Sequence, residues 1–262
     1  ARGAHILGPA EGHLASGLNA TGRLLEPLEL RDHLRHILAQ GGPLAGKQVV
    51  VSAGGTHEAI DPVRFIANRS SGKQGFAIAQ AALDLGASVT LISGPTPLAA
   101  PLGALRVDIE SAEQMAAAVQ THAAQADALI MAAAVADFRP EKASAEKIKK
   151  DSGPPQLKLT ANPDILKLVA EAKAKKGKPT ITVGFAAESR DLLENAAAKL
   201  KAKHLDMIVA NDVSAQDAGF EVDTNRVTFL FADSDPRELP LMSKAEVAEA
   251  ILAEVTARLK GN

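Results

Sequence analysis

The 262-residue sequence contains no cysteine, no tryptophan and no tyrosine. The absence of cysteine excludes disulfides, thiolate metal ligands and a cysteine nucleophile, and it is typical of a cytoplasmic protein. Without Trp and Tyr, aromatic platforms for stacking nucleic-acid bases are not expected. The charges nearly balance, with 29 Lys and Arg against 31 Asp and Glu. We therefore expect neither a nucleic-acid partner nor an anionic membrane partner.

Long apolar runs are also missing. None reaches the roughly 20 residues that span a bilayer, and no signal peptide is recognisable. The first residue is Ala1 rather than Met, which we expect of a processed chain or of a piece of a longer one. The seven histidines show no metal-ligand spacing, and no pair of nucleophile and base is evident. Nearly half of the residues are apolar, at 46%, which is enough for a large core.

From Lys47 onwards, short β-branched runs alternate with longer segments rich in Ala and Leu. This pattern predicts an α/β fold: a doubly wound, Rossmann-like, mostly parallel sheet in one domain, with a small antiparallel β extension and a long lid loop. A capping box of Ser243 and Glu246 opens the last helix. The predicted strands cover residues 47–55, 88–94, 105–110, 128–135, 180–188, 205–212 and 226–233, and the predicted helices 75–85, 112–124, 190–203 and 243–259.

Two segments interrupt the alternation. Residues 1–46 have loop character up to Pro27, followed by one amphipathic helix and by GGPLAGK, which is typical of a linker. Residues 138–160 are charged and contain prolines, and a loop of this length is usually a lid or disordered. This lid segment carries four lysines, Lys142, Lys147, Lys149 and Lys150.

Ligands of open α/β sheets bind beyond the carboxyl ends of the strands. Ser70, Ser71 and Gly72 lie there, just before a predicted helix, where main-chain N–H groups can approach an anion. The spacing matches neither a P-loop nor the dinucleotide fingerprint. A phosphate site and a tight turn with an ordinary helix cap therefore remain equal alternatives.

Other polar residues follow later strands or open later helices. Asp137 is a candidate Mg²⁺ ligand, with a simple turn cap as the alternative. Lys199 and Lys203 are spaced to share one helix face, where they could neutralise a polyphosphate or simply be solvated. Asn162 is expected to cap a helix that begins at Pro163. Glu188, Asn211 and Asp212 also stand at strand ends.

Several stretches, taken in order, resemble one known family. AGGTHEAIDPVRFIANRSSGKQGFAIA, AAAVADFRP, EKIKK, NPDIL, VGFAAES and KLKAKHLDMIVANDVS are similar to the phosphopantothenoylcysteine synthetase part of the bacterial bifunctional coenzyme A biosynthesis protein. The resemblance implies a ligase domain over residues 44–262. GPAEGHLASGLNATGR resembles the substrate flap of the fused flavin-dependent decarboxylase, so residues 1–43 are expected to be the tail of that domain plus a linker helix. Ser16 stands at the position of that enzyme's catalytic cysteine, and we expect neither decarboxylase activity nor FMN on this chain alone.

The resemblance implies a cytoplasmic ligase that joins 4'-phosphopantothenate to L-cysteine, with CTP as co-substrate and Mg²⁺ as cofactor. The acid's carboxylate attacks the α-phosphate of CTP, pyrophosphate leaves, and the cysteine amine then displaces CMP from the acyl-cytidylate. The family is dimeric, with a strand arm between subunits. Residues 219–233 are the candidate for a homodimer contact, and an ordinary antiparallel edge is the alternative.

The same resemblance assigns residues by motif. Asn68 matches the asparagine associated with the acyl-cytidylate, Asp137 a CTP position beside Mg²⁺, and Lys147 the lid lysine that closes on the nucleotide, with Lys149 as its alternative. Main-chain groups of Met131, Ala132 and Ala133 are expected to meet the cytosine. Further expected CTP positions are Asn162, Pro163, Asp164, Ile165, Phe185, Lys199 and Lys203, and the expected phosphate and substrate loop comprises Gly54, Ser70, Ser71 and Gly72.

Two other functions are compatible with such a sheet. An NAD(P)-dependent oxidoreductase lacks support from a glycine fingerprint or a placed acidic residue, and an absence of NADPH binding would argue against it. A non-catalytic nucleotide-binding or scaffold module is the second, and pyrophosphate release would exclude it.

Overall fold

The computed structural model of the chain describes residues 3–149, 156–188, 191–212 and 222–261, with residues 188 and 212 described by their main chain. Lys150, the predicted helix start at Arg190 and the beginning of the predicted arm at 219–221 lie outside the described residues. Six helices are present in the described part: α1 Pro27–Leu38, α2 Lys73–Asp84, α3 Ala112–Ala123, α4 Ile165–Lys176, α5 Leu192–Ala202 and α6 Lys244–Gly261. The strands are β1 Ala10–His13, β2 Asn19–Arg23, β3 Gln48–Ala53, β4 His57–Ala59, β5 Phe65–Ala67, β6 Ser88–Ser93, β7 Leu105–Asp108, β8 Ala128–Met131, β9 Phe138–Pro140, β10 Leu159–Ala161, β11 Ile181–Glu188, β12 Met207–Asp212, β13 Thr224–Asn225, β14 Val227–Phe231, β15 Arg237–Glu238 and β16 Met242–Ser243.

The central sheet has eight strands in the order β15-β14-β12-β11-β8-β3-β6-β7. Six of them are parallel, and β14 and β15 add an antiparallel edge. Counted along the chain, the parallel strands follow the order 3-2-1-4-5-6 of a doubly wound nucleotide-binding sheet. The predicted fold class is confirmed, and the topological switch point lies between β3 and β8.

Helices cover both faces of the sheet because successive strand residues point to opposite sides. Val49 and Val51 of β3 belong to the core cluster that includes α2 and α6, whereas Val50 packs with α3 and α4. The apolar β8 is buried along its whole length between β3 and β11, as its composition predicts. No helix in the described ranges is both long enough and apolar enough to cross a bilayer.

Three predictions of local structure are wrong. The segment before Pro27 is not only loop, because β1 and β2 pair as an antiparallel hairpin with Ser16 in its exposed turn. GGPLAGK is not a free linker: Leu44 is 1% exposed in the main core, and its N–H donates to the carbonyl of Leu85 at 2.8 Å. The strand predicted over 128–135 ends at Met131.

The lid segment starts and ends as an antiparallel ribbon of β9 and β10. Between them, Ser144 N–H donates to the carbonyl of Ile60 at 2.9 Å, and Ile148 N–H donates to the buried carboxylate of Asp61 at 3.1 Å. The side chain of Arg64 pairs with Asp61 and also donates to the carbonyl of Ile148 at 2.9 Å. These contacts fasten residues 144–148 to the loop that precedes β5.

The predicted antiparallel extension is real but belongs to the sheet itself. β14 pairs with β12 over five residues, and the two-residue β15 covers its outer edge. β13 forms a separate short ribbon with β16, immediately before α6. The capping box at the start of α6 is confirmed, since Glu246 N–H donates to the Ser243 hydroxyl and Ser243 N–H to the Glu246 carboxylate.

Candidate active site

Two adjoining cavities open at the carboxyl ends of the parallel strands, beside the switch point. The first, of about 310 Å³, lies between the 68–75 loop, the start of α2 and the ends of β11 and β12. The second, of about 300 Å³, lies between the segment after β8 and the start of α4. They share one wall, formed by Ala133, Val135, Asp137, Phe185 and Lys199.

The start of α2 faces the first cavity. Gly72 is the N-cap, with φ +79°, and no side chain caps the helix. The left-handed conformation favours glycine, and the first N–H groups of a helix have no partner within it. The N-cap itself supplies no side-chain acceptor, and Lys73 N–H makes only a long 3.5 Å hydrogen bond to the Ser71 hydroxyl. The arrangement therefore suits an anion.

The helix is held at this place by a close approach. Gly75 packs on β3 so tightly that a Cβ atom there would lie 2.5 Å from the Cβ of Ala53. Ser70, Ser71 and Asn68 line the same cavity. Asn68 donates one amide hydrogen to the carbonyl of Val135 at 3.1 Å, and its amide nitrogen carries a second donor.

The segment 132–136 runs alongside the end of β3 and the residues that follow it, with a parallel bridge between Gly55 and Ala134. Ala132 and Ala133 N–H donate to the carbonyl and hydroxyl of Ser52, both at 3.2 Å. Ala134 N–H donates to Gly54 at 2.8 Å, and Ala136 N–H donates to the buried hydroxyl of Thr56 at 3.0 Å. The N–H groups of Ala132 and Ala133 are therefore engaged by Ser52.

The second cavity contains most of the predicted nucleotide residues. Met131, Pro163, Ile165 and Lys203 line it together with the shared wall. Asn162 does not cap α4: its amide donates to the carbonyl of Ala136 at 2.8 Å and accepts from Arg139 at 3.0 Å. The N-cap is Asp164, which accepts from Lys167 N–H at 3.1 Å, so the helix starts two residues later than predicted.

Lys199 of α5 and Lys203, the residue directly after this helix, both line the second cavity, as their spacing predicts. Lys199 donates to the carbonyl of Phe185 at 2.9 Å, and Lys203 pairs with the carboxylate of Asp164. Partial desolvation raises the pKa of Asp164, but the hydrogen bonds and positive charges of Lys203 and Lys167 together outweigh it and keep the pKa below the ordinary value. An anion entering this cavity would meet both ammonium groups.

The structure brings most, but not all, of the predicted site residues to the cavities. Gly54 lies behind the first cavity, packed against Gly94. Lys147 and Lys149 are exposed on the lid segment and line neither cavity. The side chains of Glu188 and Asp212 lie outside the described residues.

Sequence reasoning missed three polar residues of the first cavity: Gln74, Asn225 and Lys244. Asn225 belongs to a DTN stretch that predicts only a turn, and Lys244 follows a capping residue, which predicts only a helix start. Burial lowers the pKa of the Lys244 ammonium, and the charge of Lys73 lowers it further. Asn211, which was noted at a strand end, lines the same cavity and is 7% exposed.

The described residues contain no cluster of three or more His, Asp and Glu side chains that could hold a metal. The exposed carboxylate of Asp137, on the shared wall, fits Mg²⁺, which commonly takes one or two carboxylates and completes its shell with phosphates and water. Within the described residues, Asp137 could supply one ligand to such an ion, and the others would have to come from a bound phosphate compound and water.

Comparison with known proteins agrees with this architecture. Residues 44–259 match the family model of the DNA/pantothenate metabolism flavoprotein C-terminal domain. The chain is 48% identical over 255 residues to the coenzyme A biosynthesis bifunctional protein CoaBC of Bacillus subtilis and 46% identical over 256 residues to that of Vibrio parahaemolyticus, covering 96% and 97% of this chain. It spans only 62% and 63% of the length of those relatives.

The crystal structure of the C-terminal domain of a CoaBC protein superposes with a TM-score of 0.71 at 41% identity, over 84% of this chain and 100% of that one. The family model matches well over half of the chain, and the solved domain has the same mostly parallel sheet. The chain therefore belongs to the DNA/pantothenate metabolism flavoprotein C-terminal domain family.

Proposed function

We propose that this chain is a phosphopantothenate–cysteine ligase of coenzyme A biosynthesis, which uses CTP and forms an acyl-cytidylate. The observation that carries the proposal is the pair of cavities with one shared wall. Such a pair allows an acid and a nucleotide to bind side by side, with the carboxylate and the α-phosphate meeting at the wall. The names of the relatives, and their sequence identity of 46% to 48% to this chain, support a role in coenzyme A biosynthesis and a ligase reaction.

The acid would occupy the first cavity, with its phosphate near the start of α2 and its carboxylate directed at Asn68 and Asp137. CTP would occupy the second cavity, between the start of α4 and Lys199 and Lys203. The reaction needs two groups held within contact distance and their charge neutralised, so no nucleophilic side chain is required. This agrees with the absence of cysteine.

In the first step, a carboxylate oxygen of the acid attacks the α-phosphorus of CTP and pyrophosphate leaves. Lys199 and Lys203 would neutralise the charge of the phosphates, and the Asp137 carboxylate would hold Mg²⁺, which neutralises phosphate charge when bound. We propose that Lys147 reaches the phosphates from the lid segment, with Lys149 as the alternative.

In the second step, the cysteine amine attacks the acyl carbon, the acyl–phosphate bond breaks, and CMP leaves with that bond's electrons. The second amide hydrogen of Asn68 would donate to the acyl oxygen as it gains negative charge. A placed donor of this kind typically contributes about 3 to 4 kcal/mol to the stabilisation of a transition state. The amine must lose a proton in this step, and solvent at the open cavity can take it.

We further propose that residues 1–43 are the tail of a flavin-dependent decarboxylase domain fused to the ligase, since the curated relatives are bifunctional and longer than this chain. A cytoplasmic homodimer is part of the same proposal. Sedimentation of the purified chain tests the homodimer. A decarboxylase assay of a longer protein that includes the preceding domain tests the fusion.

Pyrophosphate release by the purified chain tests the function directly. The assay contains Mg²⁺, CTP and 4'-phosphopantothenate, with and without L-cysteine, and a parallel series with ATP. The proposal expects release that needs the acid and prefers CTP, and CMP should appear once cysteine is added. Absence of release with every nucleotide would refute the proposal and favour a nucleotide-binding module without catalysis.

A further inference from the structure

A part of the first cavity that the second cavity does not share is polar and largely buried. Gln74, Asn211, Asn225 and Lys244 form it, and we call these four residues the polar floor. Asn225 is 2% exposed and Lys244 is 6% exposed. The floor is assembled from four separate elements: the start of α2, the end of β12, β13 and the start of α6.

Three acceptor atoms of the polar floor have no partner among the described residues. They are Gln74 Oε1, Asn211 Oδ1 and Asn225 Oδ1. The orientation of the Gln74 amide is fixed, because its Nε2 donates to the carbonyl of Lys244 at 3.0 Å. Within the described ranges, five buried side-chain atoms lack a partner, and three of them belong to this floor. Since buried acceptors are normally paired, the floor suits a ligand that supplies hydrogen-bond donors.

The charges around the floor favour an anion close to those donors. The Lys244 ammonium donates to the carbonyl of Val222, and Lys73 adds a second ammonium, which pairs with the exposed Asp223 at 2.6 Å. The uncapped N-terminus of α2 adds a partial positive charge. An ammonium ligand would be repelled here, whereas an anion with neighbouring hydroxyl or amide groups would satisfy both features.

We propose that the polar floor selects the acid substrate: its amide oxygens accept from the hydroxyl and amide N–H of the acid, and Lys244 distinguishes the phosphorylated acid from the unphosphorylated one. This inference rests on the proposed function and adds the residues that confer acid specificity. Among the proposed substrates, 4'-phosphopantothenate alone combines a phosphate ester with a hydroxyl and an amide N–H a few bonds away. L-Cysteine carries the ammonium that the lysines repel.

Steady-state kinetics of Asn225→Leu and Gln74→Met test the amide oxygens, because both changes keep the approximate shape of the side chain. Each should raise the KM for 4'-phosphopantothenate by about 10-fold to 100-fold, the usual effect of removing a buried hydrogen-bond partner, while the KM for CTP stays unchanged. Lys244→Met should reduce the preference for 4'-phosphopantothenate over pantothenate by about 10-fold or more. Thr182→Val is the matched control, since Thr182 Oγ1 is also buried without a partner but lines neither cavity.

The melting temperature of each variant shows whether a changed KM reflects lost folding or weaker binding of the acid. If Asn225→Leu does not fold, Gln74→Met still tests the role of the amide oxygens. An active wild type whose floor variants retain the KM for the acid would overturn the inference and mean that the floor binds water only. If the wild type releases no pyrophosphate, the proposed function fails, and calorimetric titration of 4'-phosphopantothenate into wild type and Gln74→Met then decides the inference alone. Wild-type binding that weakens by about 10-fold or more in the variant supports it, and equal or absent binding overturns it.

Discussion

Replacing Gly75 with alanine should disturb both stability and catalysis, because this residue sets the distance between α2 and β3. A Cβ atom at Gly75 would lie 2.5 Å from the Cβ of Ala53 and 3.0 Å from the carbonyl oxygen of Ser52. Carbon atoms in contact are normally about 3.5 to 4.0 Å apart, so helix and strand must separate by roughly 1 Å. Ala53 is fully buried, which leaves it no room to move away.

Overpacking of this size costs about 1 to 3 kcal/mol, which corresponds to a fall in Tm of roughly 2 to 12 °C for a chain of this length. The start of α2 moves with the helix, and a misplacement of about 1 Å at a reacting centre can lower the rate by about 100-fold. We therefore expect kcat/KM for 4'-phosphopantothenate to fall by up to that factor.

Thermal unfolding followed by circular dichroism and the pyrophosphate assay measure the two effects separately. Gly261→Ala is the control, since a Cβ atom at Gly261 would meet nothing within 4 Å. A Gly75→Ala protein with the Tm and kcat/KM of the wild type would refute the reasoning, because it would show that α2 is not held at the cavity by this contact.

Four further predictions concern other parts of the chain. Leu44→Ala should lower the free energy of unfolding by about 2 to 5 kcal/mol in urea titrations, whereas Leu38→Ala, at an 81% exposed position, should have little effect; equal small effects would contradict the packed role of Leu44. Hydrogen bonds from Arg64 hold the pKa of Asp61 far below its ordinary value of about 3.8, so its contribution to stability is present above that pH and is lost as the pH falls below it. The wild type should consequently lose stability on acidification more steeply than Asp61→Asn, and parallel acid titrations of the two proteins would disprove this. Asn68→Ala should still release pyrophosphate but accumulate acyl-cytidylate, detected by mass spectrometry, and normal amide formation would reject the role of Asn68. Lys147→Gln should remove about 2 to 4 kcal/mol of transition-state stabilisation and so lower kcat/KM for CTP in the pyrophosphate assay. A variant with the kcat/KM of the wild type would assign the role to Lys149 instead.

The central sheet could be predicted from the sequence because its signals are local. Each parallel strand is a short apolar run, and the first crossover helix is followed by Gly86, whose φ of +86° favours glycine and whose N–H donates to the carbonyl of Leu83 at 2.9 Å. The spacing of Lys199 and Lys203 likewise follows from helix geometry alone. These features depend on residues that are neighbours in the sequence.

The wrong predictions concern positions at which distant residues decide the structure. The strand β8 stops at Met131, and Ser52, Gly54 and Thr56, roughly 80 positions earlier, bind the main chain that follows it. Asn162 is of a residue type that commonly caps helices. Its amide instead donates to the carbonyl of Ala136 and accepts from the side chain of Arg139.

Two residues of the polar floor, Asn225 and Lys244, were missed for the same reason. Asn225 and Lys244 stand in stretches that predict a turn and a helix start, and only the return of the chain past β12 brings them to the first cavity. A single sequence gives no local sign of that approach.

The end of β3 contacts both halves of the proposed reaction. Ala53 supports the helix that faces one cavity, and Ser52 and Gly54 bind the segment that lines the wall between the two. Any thermal displacement of this strand end would carry both bound reactants in the same direction, so their separation would vary less than the position of either one. The two molecules would then keep a reactive distance within a moving protein, because a single piece of backbone serves as the reference point for both.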